Sequence, residues 1–251
     1  MLTSTERKQS KMGFWKKIFG KKQNERHVEQ IEHVKQIDQI EQVESKKQNK
    51  LNPIINNYIT GLKNAYFRNN GKEDWGFFEK VICGAKKKDI NKLKRIYPEI
   101  PDTLVNLLEY VDGTYWRKYG KEELIFFLLG SDMLEYPYYL LSTKEIINNQ
   151  QQGREFFLEY NERKYDEFEV DDKIIDKAES IKWLHFSDCM NNGGTSQLYI
   201  DFCPSEKGIK GQVVRYLHDP DELKVIADSF DEYLNMLIKK EFDFINEETM
   251  E

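Results

Sequence analysis

Three extended runs in the last third of the chain constrain its fold more than any other feature. They are IKWLHFSD (181–188), SQLYIDFCP (196–204) and GQVVRYLHD (211–219). Each has the length and the aromatic and β-branched content of a strand. The separators NNGG and SEKGIKG are turn signals. A chain that ends in consecutive strands must give them a sheet and cover at least one face of it.

The preceding residues supply the cover. NPIINNYITGLKNAYF places Ile54, Ile55, Tyr58, Ile59, Leu62, Ala65 and Tyr66 at spacings of three and four, after Asn52 as cap and Pro53 at the first helical position. KKDINKLKRIY reads as a second helix, stopped by Pro98, and IPDTLVNLLEYVDG as a third, with Pro101 and Asp102 at its start and Gly113 as its stop. ELIFFLLG is expected to be a buried strand, and YPYYLL an edge strand or the lead into a helix. STKEIINNQQQGREFFLEY reads as helical, with Ser142 or Thr143 as cap and Glu145 in the first turn. The acidic run YDEFEVDDKIIDKAES is expected to be a surface loop. A short KVIADS segment leads into a last amphipathic helix, FDEYLNMLIKKEF. Helices followed by strands give an α+β class: N-terminal helices packed on a mixed or antiparallel sheet of about five to six strands, with a C-terminal helix.

Charge divides the chain. Residues 1–50 hold 12 Lys and Arg against 7 Asp and Glu, or +5; the rest hold 26 against 37, or −11. An acidic body argues against a nucleic-acid surface, which needs clustered cations, and fits a basic protein partner that would be steered to it. In the tail, Phe14, Trp15, Ile18 and Phe19 share one helical face amid lysines. That pattern fits a short helix lying on an anionic membrane surface, and equally a solvated, disordered tail. Val28, Ile31, Val34, Ile37, Ile40 and Val43 then recur at a strict interval of three, which drifts around a helix and makes no lasting seam. We read 28–43 as a low-complexity linker with helical tendency, or a partner-dependent coiled coil. Met12 offers a second in-frame start. No apolar run approaches the ~20 residues of a membrane span, no secretory h-region is seen, and three cysteines without a CxxC pair suit a reducing cytoplasm. The protein is therefore expected in the cytoplasm, free or on the inner face of the membrane.

IDFCPSEKGIKGQVV (200–214) holds an Asp, a Cys, a Pro and two glycines between apolar runs. A phosphate loop would enter a helix with a Lys-Ser/Thr pair, whereas this stretch enters a strand, so we read it as a turn in which Gly208 and Gly211 take positive φ. Asp188, Asp201, His185 and His218 lack a diagnostic metal-ligand spacing, and Cys189 near His185 is a weak thiol–base pair. No catalytic, metal or cofactor site is expected.

The order of residues in this region resembles the signature of the SMI1/KNR4 family, also called the SUKH superfamily. The matching positions are the Trp-led strand at Trp183, the Gly-rich turn at Gly193 and Gly194, Asp-x-x-Pro at Asp201 and Pro204, Gly-x-x-Gly-Gln-Val from Gly208 through Gly211 and Gln212, and Ser-Phe-x-x-x-Leu from Ser229 and Phe230. Upstream, IPDTLVNLLEYVDG is similar to the helix and turn that begin the family domain, although Ile100 stands for the leading Leu and Asp112-Gly113-Thr114 for the Asn-Gly-Gly turn. The resemblance divides the chain into a basic tail and linker (1–50), an added helical segment (51–83) and a family domain (84–245). It implies a non-enzymatic binding module. Bacterial members look like cytoplasmic immunity proteins that occlude the toxic domain of a polymorphic or contact-dependent toxin, often a nuclease or deaminase; fungal relatives look like scaffold or regulatory adaptors. An interface with a desolvated aromatic centre and an acidic surround would suit a basic toxin. The candidates are Tyr115, Trp116, Tyr136, Tyr138 and Tyr139 with Asp132 and Glu135, half or more of the rings being expected in the core.

Overall fold

The computed structural model describes residues 51–250 except 134–136, 166, 191–194 and 219–220. The expectations for the tail and the 28–43 repeat lie outside the described residues, as do Glu135, Tyr136, Gly193 and Gly194.

The helical half begins as its sequence dictates. Helix α1 (Pro53–Arg68) is capped by the side chain of Asn52, which accepts from the Ile55 amide at 2.9 Å. It buries Ile55, Tyr58, Ile59, Leu62, Ala65 and Tyr66. Helices α2 (Lys72–Val81), α3 (Lys87–Ile96) and α4 (Asp102–Tyr110) follow. Helix α2 falls within the helical segment expected over 51–83 but was not singled out there, since its two core rings, Trp75 and Phe78, stand among charged residues. A two-stranded hairpin, β1 (Arg117–Tyr119) with β2 (Glu122–Leu124), leads to β3 (Tyr138–Leu140).

The expected strand over ELIFFLLG is corrected by the structure: only its first two residues, Glu123 and Leu124, lie in a strand, and 125–128 lie in none. The reason is competition for its carbonyls. Tyr66 donates to Phe127 O and Tyr58 to Leu128 O, both at 2.8 Å, and Tyr233 donates to Gly130 O at 2.6 Å. Hydroxyls from two helices thus take three carbonyls of the stretch, and its pairing with β3 is limited to an isolated antiparallel bridge between Leu129 and Tyr138.

STKEIINNQQQGREFFLEY forms three short helices, α5 (Thr143–Asn148), α6 (Gln152–Phe156) and α7 (Leu158–Asn161). Ser142 caps α5 in a capping box with Glu145. The acidic run after them is only partly a surface loop. It contains a two-residue strand, β4 (Glu169–Val170), and buries Phe168, Ile174 and Ala178. Strands β5 (Trp183–Met190), β6 (Thr195–Asp201), β7 (Gln212–Leu217) and β8 (Glu222–Ala227) complete the sheet, and α8 (Phe230–Lys239) closes the fold. The first four residues of KVIADS, Lys224–Ala227, therefore belong to a strand, and its Ser229 caps α8.

The six strands lie in the order β3-β5-β6-β7-β8-β4, antiparallel except for the parallel β8–β4 pair. The protein is α+β, as expected. Period-two alternation sends Leu184, Phe186, Leu198, Ile200 and Val213 into a large core shared with α1, α4 and α8. Trp183, Tyr199, Val214 and Tyr216 point the other way, into a smaller cluster closed by Phe157, Phe168 and Ile174. Because both faces are covered, these strands read as nearly continuous apolar runs.

Candidate functional site

The signature residues build the scaffold. Asp201 and Gln212 end β6 and begin β7 as a registered pair. Asp201 Oδ1 accepts from the Cys203 amide at 2.8 Å, and its Oδ2 accepts from Gln212 Nε2 at 3.0 Å. Gln212 Oε1 in turn accepts from the Ile209 amide at 3.0 Å. Burial pushes the Asp201 carboxyl up to about 6, against the lowering effect of those donors. Gly211 takes φ +93° as the turn reading requires. Gly208 does not take positive φ; it is glycine because a Cβ there would stand 2.4 Å from the Lys173 carbonyl oxygen. Pro204 stands three residues beyond the end of β6, Trp183 is buried in the smaller cluster, Ser229 caps α8, and Phe230 meets Phe186 edge-on at 5.4 Å.

The polar residues near this scaffold are turned inward. Buried His185 faces Asp188 Oδ1 at 2.9 Å through Nε2, and Gln152 Oε1 and Asn149 Nδ2 through Nδ1. Cys189 is buried, and burial with the nearby Asp188 charge pushes its thiol up to about 12. That is the reverse of what a nucleophilic thiolate needs. His218 pairs locally with Asp221. Among the described residues no three His, Cys, Asp or Glu are placed to hold a metal ion.

The expected aromatic patch divides. Tyr138 is fully buried and its hydroxyl meets Ser196 Oγ, while Tyr139 packs between Tyr115 and Phe127 with ring centroids 5.0 Å from each. Tyr115 is half-buried, and Trp116, at φ +45°, is 50% exposed. Asp132 is turned away from them to fully buried Arg215, which it binds through both oxygens at 2.6 and 3.2 Å. Burial pushes the Asp132 carboxyl up, but Arg215 and Lys224 outweigh it and hold it below the usual range. The side chains following Trp116 are Arg117 and Lys118. Across the hairpin Glu123 and Glu122 stand opposite Lys118 and Tyr119, so the charge around this ring is mixed.

A second exposed surface covers the smaller cluster, on the face of the sheet away from the large core. Between α6 and α7, Phe157 fills the cluster, so its neighbours Phe156 and Leu158 face outward, 54% and 42% exposed; Tyr165 is 48% exposed. Ring contacts run from Phe156 to Phe157 (5.1 Å), on to Tyr160 (6.4 Å) and then to Tyr165 (5.5 Å). Residues 154–180 contain 10 Asp and Glu against 5 Lys and Arg, and Glu155, Glu159, Glu167 and Glu169 are exposed. An acid-ringed aromatic centre of this kind suits a basic partner. The available sequence signal was the FF doublet inside an acidic segment, which helical periodicity alone leaves without a direction.

A family model described as SMI1 / KNR4 family (SUKH-1) matches residues 84–236, over half of the chain. No curated protein matches it.

Proposed function

The chain belongs to the SMI1/KNR4 family (SUKH-1), and from that premise we propose that it is a bacterial immunity protein that neutralises a toxin by binding its toxic domain, without catalysis of its own. Family membership over 84–236 carries the reading. The −11 charge of residues 51–251 supports a basic partner such as a nuclease or deaminase, since opposite fields accelerate encounter. Phe156, Leu158 and Tyr165 are the proposed centre of contact, with Glu155, Glu159 and Glu167 on the rim. Rings that are already exposed and braced by neighbours give up little side-chain entropy on binding. The work of such a protein is occlusion in the cytoplasm. The tail, through Phe14, Trp15, Ile18 and Phe19 with their lysines, would place it at the inner face of the membrane.

The test is capture from the native cell with the tagged full chain, then titration against the partner and assay of its toxicity. A stoichiometric, salt-sensitive complex with one basic toxin domain, together with loss of that domain's activity, is the expected result. Recovery only of envelope or signalling proteins, and only when residues 1–50 are present, would replace the immunity reading with that of a membrane-tethered adaptor.

A further inference from the structure

A cleft on another part of the molecule has the opposite charge. It encloses about 470 Å³ between the start of α3, the start of the β1–β2 hairpin and the start of α5. Five of its ten lining residues are cations, Lys86, Lys88, Lys92, Arg117 and Lys144, against two acids, Asp89 and Asp112. One of the acids is already engaged. Asp112 accepts from the Thr143 amide and hydroxyl at 2.8 Å through Oδ1, and from Arg117 at 2.5 Å through Oδ2. Among the described residues the four lysines have no ion-pair partner, and Arg117 Nε is shielded from water without a hydrogen-bond partner.

This arrangement is unfavourable for folding. Lys86 is the cap residue of α3, Lys88 lies in its first turn, and Lys144 lies in the first turn of α5. Cations at helix N-termini oppose the macrodipole, and Lys88 and Lys92 repel each other at a spacing of four. A bound anion placed among these lysines would offset the repulsion between them by its attraction to each. Phosphate groups carry the most charge per volume of the common biological anions, and the enclosed space lies within the usual range of small-molecule pockets.

We propose that this cleft is a binding site for a small molecule carrying two or more phosphate groups, held by Lys86, Lys88, Lys92 and Lys144 and oriented by Arg117. The site is independent of toxin binding. Its lysines hold charge in place, while the Asp112–Arg117 pair fixes the one planar donor.

The experiment is isothermal titration calorimetry of the full chain at low ionic strength with sodium tripolyphosphate as probe. Binding of one equivalent is expected. Lys88→Glu/Lys92→Glu and Lys144→Glu should each weaken it by about tenfold or more, the cost of one lost charge-assisted hydrogen bond. Lys182→Glu, at an exposed position just before β5, should leave affinity unchanged, and thermal melting of each variant identifies any that fails to fold. No heat of binding, or equal weakening by Lys182→Glu, would overturn the proposal. So would tighter binding of a hexaglutamate peptide or a single-stranded oligonucleotide through the same lysines.

Discussion

Gln212 and Asp201 face each other across β6 and β7, joined by a 3.0 Å hydrogen bond from an amide to a carboxyl group that has no exposure to water. The glutamine cannot be turned round without loss, because its oxygen already holds the Ile209 amide. One buried pair therefore fixes both the end of a strand and the path of the connection after it.

Asp201 should make stability fall as pH rises. Its carboxyl titrates at about 6 in the fold against an ordinary value of 3.8. Between those values the unfolded chain has lost the proton that the folded chain keeps, so unfolding releases a proton and is favoured by raising the pH. The contribution is full below pH ~4 and gone above ~6, and is on the order of 3 kcal/mol. Asp201→Asn sets two amide donors against each other and should cost about 1–3 kcal/mol at low pH. Urea unfolding of both proteins from pH 4 to 7 checks this: their difference should shrink with pH, and a constant difference would refute it.

Arg215 lies with no exposure between Asp132 and Glu222. Arg215→Leu should cost about 3–5 kcal/mol, because two partly buried carboxylates lose their shared cation. Adding Asp132→Asn and Glu222→Gln should recover about half of that loss in chemical denaturation, since the uncompensated charges are then removed. If the triple variant is no more stable than the single one, packing rather than charge governs the site.

Gly208→Ala tests close approach without a positive φ. The added methyl would sit 2.4 Å from the Lys173 carbonyl oxygen and 2.7 Å from Pro204. A loss of about 1–3 kcal/mol is expected from overpacking, visible as a lower melting temperature. At Gly211 a Cβ would meet nothing within 4 Å, so Gly211→Ala should cost only the strain of its φ of +93°, about 1 kcal/mol.

Phe156→Ala and Tyr165→Ala should each weaken toxin binding by about 2 kcal/mol or more if these rings form the centre of the interface. Their exposure means that thermal stability should change by less than about 1 kcal/mol. Glu155→Lys with Glu159→Lys should act mainly on the association rate and flatten its salt dependence. Surface plasmon resonance separates the rates. An unchanged affinity in both aromatic variants, with a large loss in Trp116→Ala, would move the interface to the surface around Trp116.

The helices from Pro53, Lys87, Asp102 and Phe230 and the strands from Trp183, Thr195 and Gln212 were legible because caps, prolines and apolar periodicity are written within each element. The positive φ of Gly211 was legible as turn chemistry between two strands, whereas the close approach that requires Gly208 and the bond between Asp201 and Gln212 emerged only from the fold. ELIFFLLG was misread because its pattern records burial, while the groups that satisfy its backbone are hydroxyls of Tyr58, Tyr66 and Tyr233, as many as 70 and 103 residues away. Surface identity was equally non-local. Tyr138 and Tyr139 are turned inward, Phe156 outward because Phe157 occupies the cluster beneath, and lysines of α3 and α5 meet an arginine of β1 around one cleft. The sequence by itself determined the elements and their α+β assembly, since propensity and period act over a few residues. Only the tertiary structure decided which aromatic rings and charges reach water together, because that depends on how distant elements fill each other's space and satisfy each other's polar groups.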